Sequence, residues 1–228
     1  MRIAVLTRSL PVHRTGGLET ITLNLARGLA ARGHEIVIIT SAHPDGKKQE
    51  KYDGVTFHFT QGTVPSTYSP LFFTRLNRQF RILHEEKPFD LIHAQGFSAM
   101  TLNPPPGVPL LATLHGTLFS ETPLHRDSFS RLSPVAKTGK IIRHRWRILM
   151  FPLYKRYLTR LSRIFVDSAY SLDETLRDCP GAQNRFRVVP LGLDVSSPPR
   201  LDSRRPSVIV GALKCQSEWG LDRTARIG

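Results

Sequence analysis

The sequence predicts an α/β fold, in which helices cover both faces of a mostly parallel β-sheet. Short apolar runs alternate with amphipathic segments from the first residue to about residue 190. Several of the runs carry no polar face, as strands buried on both sides of a parallel sheet require. The chain has 228 residues, of which 40% are hydrophobic, so a packed core is possible in one large domain or two small ones.

The first forty residues predict a β-α-β unit. Apolar residues 3–7 form the first expected strand, residues 18–32 a helix, and residues 36–39 a second strand buried on both faces. We expect the helix to turn one apolar stripe inward, made of Leu18, Ile21, Leu25 and Leu29. Gly33 follows the helix as the residue that adopts the left-handed conformation at its end.

The later elements continue the alternation. Further strands are expected at residues 55–59, 89–94, 109–115, 163–167 and 186–190. Helices are expected at residues 71–86, at 137–161 with an interruption at Pro152, and from the N-cap Ser168 to about residue 177. This order requires right-handed crossovers, which bring the carboxyl ends of the strands to one edge, where ligands bind.

The amino-acid composition of the chain changes after Pro190. Residues 191–206 are rich in proline, serine and arginine, which is typical of a linker. Residues 207–228 contain a single strand-like run, too little to bury a core of its own. We therefore expect one domain over residues 1–190, a linker, and the beginning of a second domain over residues 207–228.

The net charge and the cysteine content indicate which binding partners and which cellular compartment to expect. The chain has 32 Lys and Arg against 18 Asp and Glu, a formal net charge of +14, which favours phosphates, nucleic acid or an acidic membrane surface. Cys179 and Cys215 have neither disulfide-framework nor metal-ligand spacing. No run approaches the ~20 apolar residues of a membrane span, and no signal-peptide core is present. We expect a cytoplasmic protein.

A glycine pair stands at the start of the first predicted helix. Gly16 and Gly17 follow the first strand, and a helix start presents unpaired N–H groups and the positive end of a dipole. Glycines there allow a phosphate to approach the backbone closely. The alternative is that the pair is only a tight turn. Other candidate residues that follow strands at the same edge are Gly96, His115, Gly116 and Ser168.

The segment 137–163 is strongly basic. It holds nine Lys and Arg and no acidic residue, interleaved with aromatic and aliphatic residues such as Trp146 and Tyr154. One interpretation is a helix that packs on the core and exposes a solvated basic face. The other is a helix that lies in the interface of an anionic bilayer, at the inner face of the membrane.

Seven segments, in order across residues 1–194, resemble the N-terminal half of the family-4 glycosyltransferases, a large retaining group with the GT-B fold. The segments are MRIAVL at 1–6, TGGLE at 15–19, LAARGHEI at 29–36, FDLIHA at 89–94, TLHGT at 113–117, VDS at 166–168 and VPLGLD at 189–194. The resemblance implies a Rossmann-like N-terminal domain that mainly holds the acceptor. A C-terminal domain of the same kind would hold the nucleotide-sugar.

The resemblance also implies an activity. A hexosyltransferase-like enzyme of this kind moves a glycosyl group, with retention, from a nucleotide-activated sugar to a sugar, lipid-linked sugar, polysaccharide or small-molecule acceptor. The nucleotide-sugar is a substrate, so no cofactor is implied, and no metal site is implied. Ala212 and Trp219 stand where the family usually has an arginine and a lysine aimed at the diphosphate. We therefore expect a truncated donor half and little turnover by this chain alone.

Roles for single residues follow from the resemblance. The backbone of Gly16 and Gly17 is expected to meet the donor phosphate or sugar. His115 is the catalytic candidate near the reacting sugar, where it donates hydrogen bonds to donor or acceptor oxygens; the alternative is a strand-end histidine satisfied by backbone. The expected cleft residues are His93, Gly116, Thr117 and Ser168, the last more simply explained as a helix cap. Glu19 is expected to favour the helix dipole.

A second class of function stays open: a non-catalytic, basic Rossmann-like module that binds phosphorylated ligands or nucleic acid. The net charge of +14 favours it. Against nucleic acid, no recognised binding motif is present. A dinucleotide-dependent dehydrogenase is excluded, because residues 16–21 read GGLETI and lack the GxGxxG spacing.

Overall fold

The computed structural model describes residues 1–116, 134–190 and 192, with side chains from residue 134 onward only at 145 and from 148. Contacts divide the chain into two units, Met1–Leu191 and Gly192–Gly228, and the fold below is that of the first. Apart from residue 192, the predicted linker and stub lie outside the described residues, as do Thr117, Ala212 and Trp219.

Strands of the described part form one sheet. They are β1 (Arg2–Leu6), β2 (Glu35–Thr40), β3 (Gln49–Tyr52), β4 (Val55–Phe59), β5 (Leu91–Gln95), β6 (Leu110–Leu114), β7 (Arg163–Val166) and β8 (Phe186–Val188). Their order is β3-β4-β2-β1-β5-β6-β7-β8, and only the β3–β4 pair is antiparallel.

Helices cover both faces of this sheet, which confirms the predicted fold class. They are α1 (Gly17–Ala31), α2 (Pro70–Glu86), α3 (Pro134–Arg160) and α4 (Ala169–Asp178), with a 3₁₀ turn at Gln183–Arg185. α2 and α3 share a core with alternate strand residues such as Leu6 and Ala94, whereas α1 packs on the opposite face against Val5 and Ile38. α3 continues through Pro152, so the predicted interruption is wrong.

Strand β3 was not predicted, because its sequence QEKY has no apolar alternation and three of its four residues are exposed. A tight turn makes it pair with β4. Asp53 and Gly54 have φ values of 51° and 74°, as a two-residue hairpin turn requires. The polar strand covers the edge of β4.

The inward face of α1 differs from the predicted stripe. Its buried residues are Glu19, Thr22, Leu23 and Ala26. The residues of the predicted stripe, Leu18, Ile21, Leu25 and Leu29, are all half-buried. Thr22 and Ala26 have small side chains and are fully buried, and Leu23 packs in the same core, whereas the residues of the predicted stripe lie at its margin.

An arginine ties the elements together at the amino ends of the strands. Arg2 Nε lies 3.0 Å from Glu35 Oε1, and Arg2 Nη1 donates to the Leu83 carbonyl at 2.9 Å. The guanidinium also lies over the Phe89 ring, 4.1 Å from its centroid. Lys87 and Arg2 both hydrogen-bond Glu35, and these bonds lower the pKa of that carboxyl. β1 is thus joined to β2 and to the end of α2, at the edge opposite the predicted site.

Candidate functional site

The sheet has one point where the chain changes direction. From β1 the chain runs outward through β2 to β4 and β3, and it then returns to the other side of β1 as β5. Loops that leave β1 and β5 therefore go to opposite faces and open a crevice at the carboxyl ends, where open α/β sheets bind ligands. The predicted glycine pair and the predicted histidines lie in or beside these loops and strands.

The glycine pair begins α1. Gly16 is the N-cap, in extended conformation, and Gly17 is the first helical residue. No side chain of the described residues caps this end by a hydrogen bond. The first-turn N–H groups of α1 therefore remain directed out of the helix, toward the crevice end of β1. This placement fits the predicted contact with an anion.

Glu19, in the first turn of α1, is more than a residue that favours the helix dipole. It is 3% exposed. Its Oε1 accepts a hydrogen bond of 2.5 Å from Ser9 Oγ and lies 3.5 Å from Arg14 Nε. A Cβ placed on Gly16 would collide with the other carboxylate oxygen. The buried carboxylate thus joins both ends of the loop between β1 and α1, and a larger residue at position 16 would have to displace it.

His93, an expected cleft residue, lies in the middle of β5. It is 7% exposed, and its Nε2 lies 2.8 Å from Thr113 Oγ1 on β6. Burial, and secondly the nearby charge of His115, lower the pKa of His93 to about 4. The ring is therefore neutral at pH 7. It supports the floor of the crevice from within the sheet.

His115 follows β6 directly and is half-buried. Its Nε2 lies 3.1 Å from Oε1 of Gln95, the last residue of β5. Gln95 is 1% exposed, and our sequence analysis did not single it out. A signal existed: Gln95 stands two residues after His93 in one strand, so both side chains point to the same face. Leu91, two residues before His93, packs on the α1 side of the sheet. The pair of His115 and Gln95 thus lies on the face that α1 covers.

The turn after β5 is fixed from two sides. Gly96 has a φ of 59°, and a Cβ there would lie 2.9 Å from Tyr68 Oη. Tyr68 Oη accepts from the Phe97 N–H at 3.1 Å, and Tyr157 donates its hydroxyl to the Gly96 carbonyl at 3.0 Å. The Arg8 guanidinium, just after β1, lies 4.9 Å from the Tyr68 ring centroid. These contacts hold the β5 turn against the loop that follows β1.

The remaining predicted residues, Gly116 and Ser168, lie at different places along the sheet. Gly116 follows His115 and closes the described part of that loop. Ser168 is the N-cap of α4: its Oγ accepts from the Ser171 N–H at 3.2 Å and donates to Asp167 Oδ1 at 3.1 Å. Both roles of that hydroxyl are therefore structural, at the carboxyl end of β7 two strands away from β5. Over residues 1–116 and 134–190, no group of three or more His, Cys, Asp or Glu is placed to hold a metal ion.

The chain matches one protein family. The model of Glycosyltransferase Family 4 matches residues 15–197, a span that includes Gly16, His93, His115 and Ser168. No curated protein sequence matches the chain.

Solved structures share the fold. Sucrose-phosphate synthase from Thermosynechococcus elongatus is 20% identical, with a TM-score of 0.57, 85% of this chain covered and 49% of that chain. The catalytic domain of starch synthase IV from Arabidopsis thaliana, bound to ADP and acarbose, is 15% identical, with a TM-score of 0.52 and coverages of 86% and 52%. A glycosyltransferase from Rickettsia africae ESF-5 is 14% identical, with a TM-score of 0.52 and coverages of 98% and 50%. The chain spans about half the length of these structures.

Alanine substitutions at Gly16 and at Gly17 should have opposite effects on the free energy of unfolding. Gly16→Ala forces the methyl group against Glu19, so we expect the free energy of unfolding to fall by about 1–3 kcal/mol. Gly17→Ala meets nothing within 4 Å and places alanine in a helix, so we expect a gain of about 0.5–1 kcal/mol. Urea unfolding of the two variants measures both. Equal effects of the two substitutions would contradict the close contact of Gly16 with Glu19.

The buried His93 predicts a dependence of stability on pH. Its pKa is about 4 in the folded chain and near 6.5 in an unfolded one. Between these values the unfolded state binds more protons, so stability falls as the pH drops from 6.5 toward 4, by ~3 kcal/mol in all. Urea unfolding at pH 7.0 and 4.5 should show a smaller difference for His93→Gln than for the wild type. The control is His34→Gln, and a wild-type difference retained in His93→Gln would contradict the prediction.

Proposed function

The chain belongs to glycosyltransferase family 4, and from this premise we propose that it supplies the acceptor-side domain of a retaining glycosyltransferase. In the proposed reaction the bond between the anomeric carbon of the sugar and the nucleoside diphosphate breaks. A bond to the oxygen of an acceptor hydroxyl forms on the same face of the sugar, and the hydroxyl proton leaves. The nucleotide-sugar is consumed as a substrate, so the reaction requires no cofactor.

One observation carries this proposal: the carboxyl edge between β1 and β5 gathers two kinds of group on the face that α1 covers. The start of α1 at Gly16 and Gly17 directs N–H groups toward that edge. His115 and Gln95 end the neighbouring strands on the same side. Amides at a helix N-terminus stabilise the charge that develops on a leaving diphosphate. A neutral imidazole is suited to hydrogen-bond a sugar hydroxyl.

The donor side is assigned to a second domain. The matched structures are about twice as long as this chain. A substrate site formed between two domains requires residues from both. The starch synthase IV structure in that set holds ADP, which supports a nucleotide-linked donor for this chain. Residues 1–190 then form the acceptor-side domain, residues 191–206 the linker and residues 207–228 the first part of the donor side.

We further propose that the acceptor is presented at an anionic membrane surface, at the inner face of the membrane. The middle of α3 supports this. Ile148, Leu149 and Leu153 are 55%, 64% and 37% exposed, and Arg145 near them is exposed as well. Tyr154 and Tyr157 of the same helix are fully buried. These tyrosines therefore anchor α3 to the core, whereas the stretch 145–153 offers exposed apolar and basic side chains together. No helix of the described residues is long and apolar enough to cross a membrane.

Sugar transfer distinguishes this function from that of a non-catalytic phosphate- or nucleic-acid-binding module. We expect the 228-residue chain alone to release little or no nucleoside diphosphate from a panel of nucleotide-sugars. Fusing residues 1–190 to the complete donor domain of a family member should restore release and acceptor glycosylation. In that fusion His115→Ala should lower kcat by ~10²-fold or more, and the control His34→Ala should not. Salt-dependent binding of nucleic acid without turnover in the fusion would favour the module instead.

Vesicle binding tests the membrane proposal. Replacing both Ile148 and Leu149 by serine removes apolar area that would enter the interface, so we expect at least ~10-fold weaker partitioning to phosphatidylglycerol vesicles. Ile82→Ser on α2, where the side chain is 39% exposed, is the matched control. Phosphatidylcholine vesicles should bind the wild type more weakly, because each basic residue near an anionic surface contributes about 1 kcal/mol. Equal binding of wild type and double variant would rule out α3 as the contact.

A further inference from the structure

We propose that the groove between α2 and α3 binds the phosphate group of an anionic lipid, at a site separate from the crevice. The groove consists of two adjoining cavities, one basic and one apolar. Such a site deepens the proposed presentation of the acceptor at a membrane surface, and its role there rests on that proposed function. The binding itself is measured below with soluble probes, without vesicles and without sugar transfer.

The basic cavity has a volume of about 400 Å³, which is in the range of small-molecule sites. Three arginines line it: Arg81 on α2, and Arg156 and Arg160 on α3. Asn103, in the segment that follows β5, adds to the polar lining. Among the described residues, no Asp or Glu lines this cavity. Several cations without a carboxylate to balance them favour an anionic ligand.

Arg160 shapes the cavity and does not offer its charge to a ligand. Its Nη1 donates to the Leu102 carbonyl and to Asn103 Oδ1, both at 2.9 Å, and its Nη2 donates to the Met100 carbonyl at 2.7 Å. These bonds fix the segment after β5 against α3. Burial, and secondly the positive charge of Arg156, lower the pKa of Arg160. Arg156 is therefore close enough to repel it, and a bound anion would offset that repulsion.

Arg81 and Arg156 are the cations that remain to bind a ligand. Both are exposed. Arg81 Nε lies 3.4 Å from the Asn77 carbonyl of its own helix, and the Arg156 guanidinium has no ion pair or hydrogen bond with any described residue. A guanidinium can bind two phosphate oxygens at once through parallel N–H groups. Two guanidiniums that line one cavity from different helices are therefore suited to a single phosphate group.

An apolar cavity of about 320 Å³ adjoins the basic one. Asn77, Thr101 and Leu153 line both cavities, so the two form one continuous groove. Phe73 and Met150 are among the apolar residues at its other end. A ligand that fills the groove carries a phosphate with hydrocarbon attached to it, as a phospholipid does. Inorganic phosphate or a sugar phosphate would leave the apolar end in contact with water.

The groove and the crevice lie on different faces of the sheet. α2 and α3 share a core with Leu6 and Ala94, whereas α1 packs on the opposite face. The exposed Ile148 and Leu149 lie about one turn before Leu153 on α3. A membrane that contacts these side chains would bring lipid phosphates to the groove and leave the start of α1 open to a soluble nucleotide-sugar.

Titration of the full 228-residue chain with two soluble phosphates tests the site. Dihexanoylphosphatidic acid carries a phosphate and short acyl chains, and glycerol 3-phosphate carries the same phosphate without chains. We would follow backbone and arginine Nε–H signals by ¹H–¹⁵N NMR. We expect saturable shifts at Arg156 and Asn103 with both probes, and at least ~10-fold tighter binding of the lipid, because its chains bury apolar area. Shifts at Gly17 without shifts at Asn103 would overturn the inference, because the phosphate would then bind at the start of α1.

Two neighbouring positions on α3 separate a specific contact from general attraction. Arg156→Gln removes a cation that lines the cavity, so we expect ~10-fold weaker binding of both probes. Lys155→Gln is the matched control. It removes the same charge from a side chain that does not line the cavity and whose Nζ lies 4.8 Å from the Phe151 ring centroid, so affinity should fall less than about twofold. Equal losses in the two variants would overturn the inference, because they would indicate attraction by net charge alone.

Leu153→Ser distinguishes a lipid from a free phosphate. Leu153 lines both cavities and is 37% exposed, so we expect a folded variant that binds the lipid ~5-fold more weakly and glycerol 3-phosphate as the wild type does. Equal wild-type affinity for the two probes, or unchanged lipid affinity in Leu153→Ser, would overturn the assignment to a lipid. If the lipid binds as expected but serine at 148 and 149 leaves vesicle binding intact, the proposed membrane contact fails and the lipid site stands.

Discussion

The register of β1 between β2 and β5 is the constraint on which the rest of the structure depends. β1 pairs in parallel on both sides, with Val5 opposite Ile38 and His93, and Leu6 opposite Ile39 and Ala94. Side chains alternate between faces, so a slip of one residue would send His93 and Gln95 to the other face. The site depends on this register, because the groups that form the crevice come from strands that are distant in the chain.

The two ends of the sheet serve different purposes. At the amino ends, Arg2 joins β1, β2 and the end of α2 through a carboxylate, a carbonyl and an aromatic ring. The carboxyl ends instead hold buried polar groups with few, specific partners, among them Glu19 with Ser9 and His93 with Thr113. Burial of such groups is costly unless they are hydrogen-bonded. Rigid strands and a packed helix supply the geometry that keeps these bonds, which is the support a binding site needs.

The crevice of this family-4 domain brings together a buried histidine in β5, a second histidine after β6 and an arginine in the loop after β1. His93 is kept neutral by burial, and His115 bonds to an amide. Arg8 stacks on Tyr68, which also braces the turn after β5. These groups come from three different strands and loops, and the proposed acceptor-side function depends on the sheet that holds them at one edge.

Local patterns in the sequence determined the β-α-β order, the family and the span of α2, which was predicted at residues 71–86 and lies at Pro70–Glu86. Periodicity and short motifs report on neighbours within a few residues, and this is why they succeeded there. Only the tertiary structure decided that Thr22 and Ala26 face the sheet in α1, and that Glu19 closes the glycine loop. It alone also brought Gln95 to His115, twenty residues away in the chain. These contacts depend on strand register and on the distance between helix and sheet, which no local pattern contains.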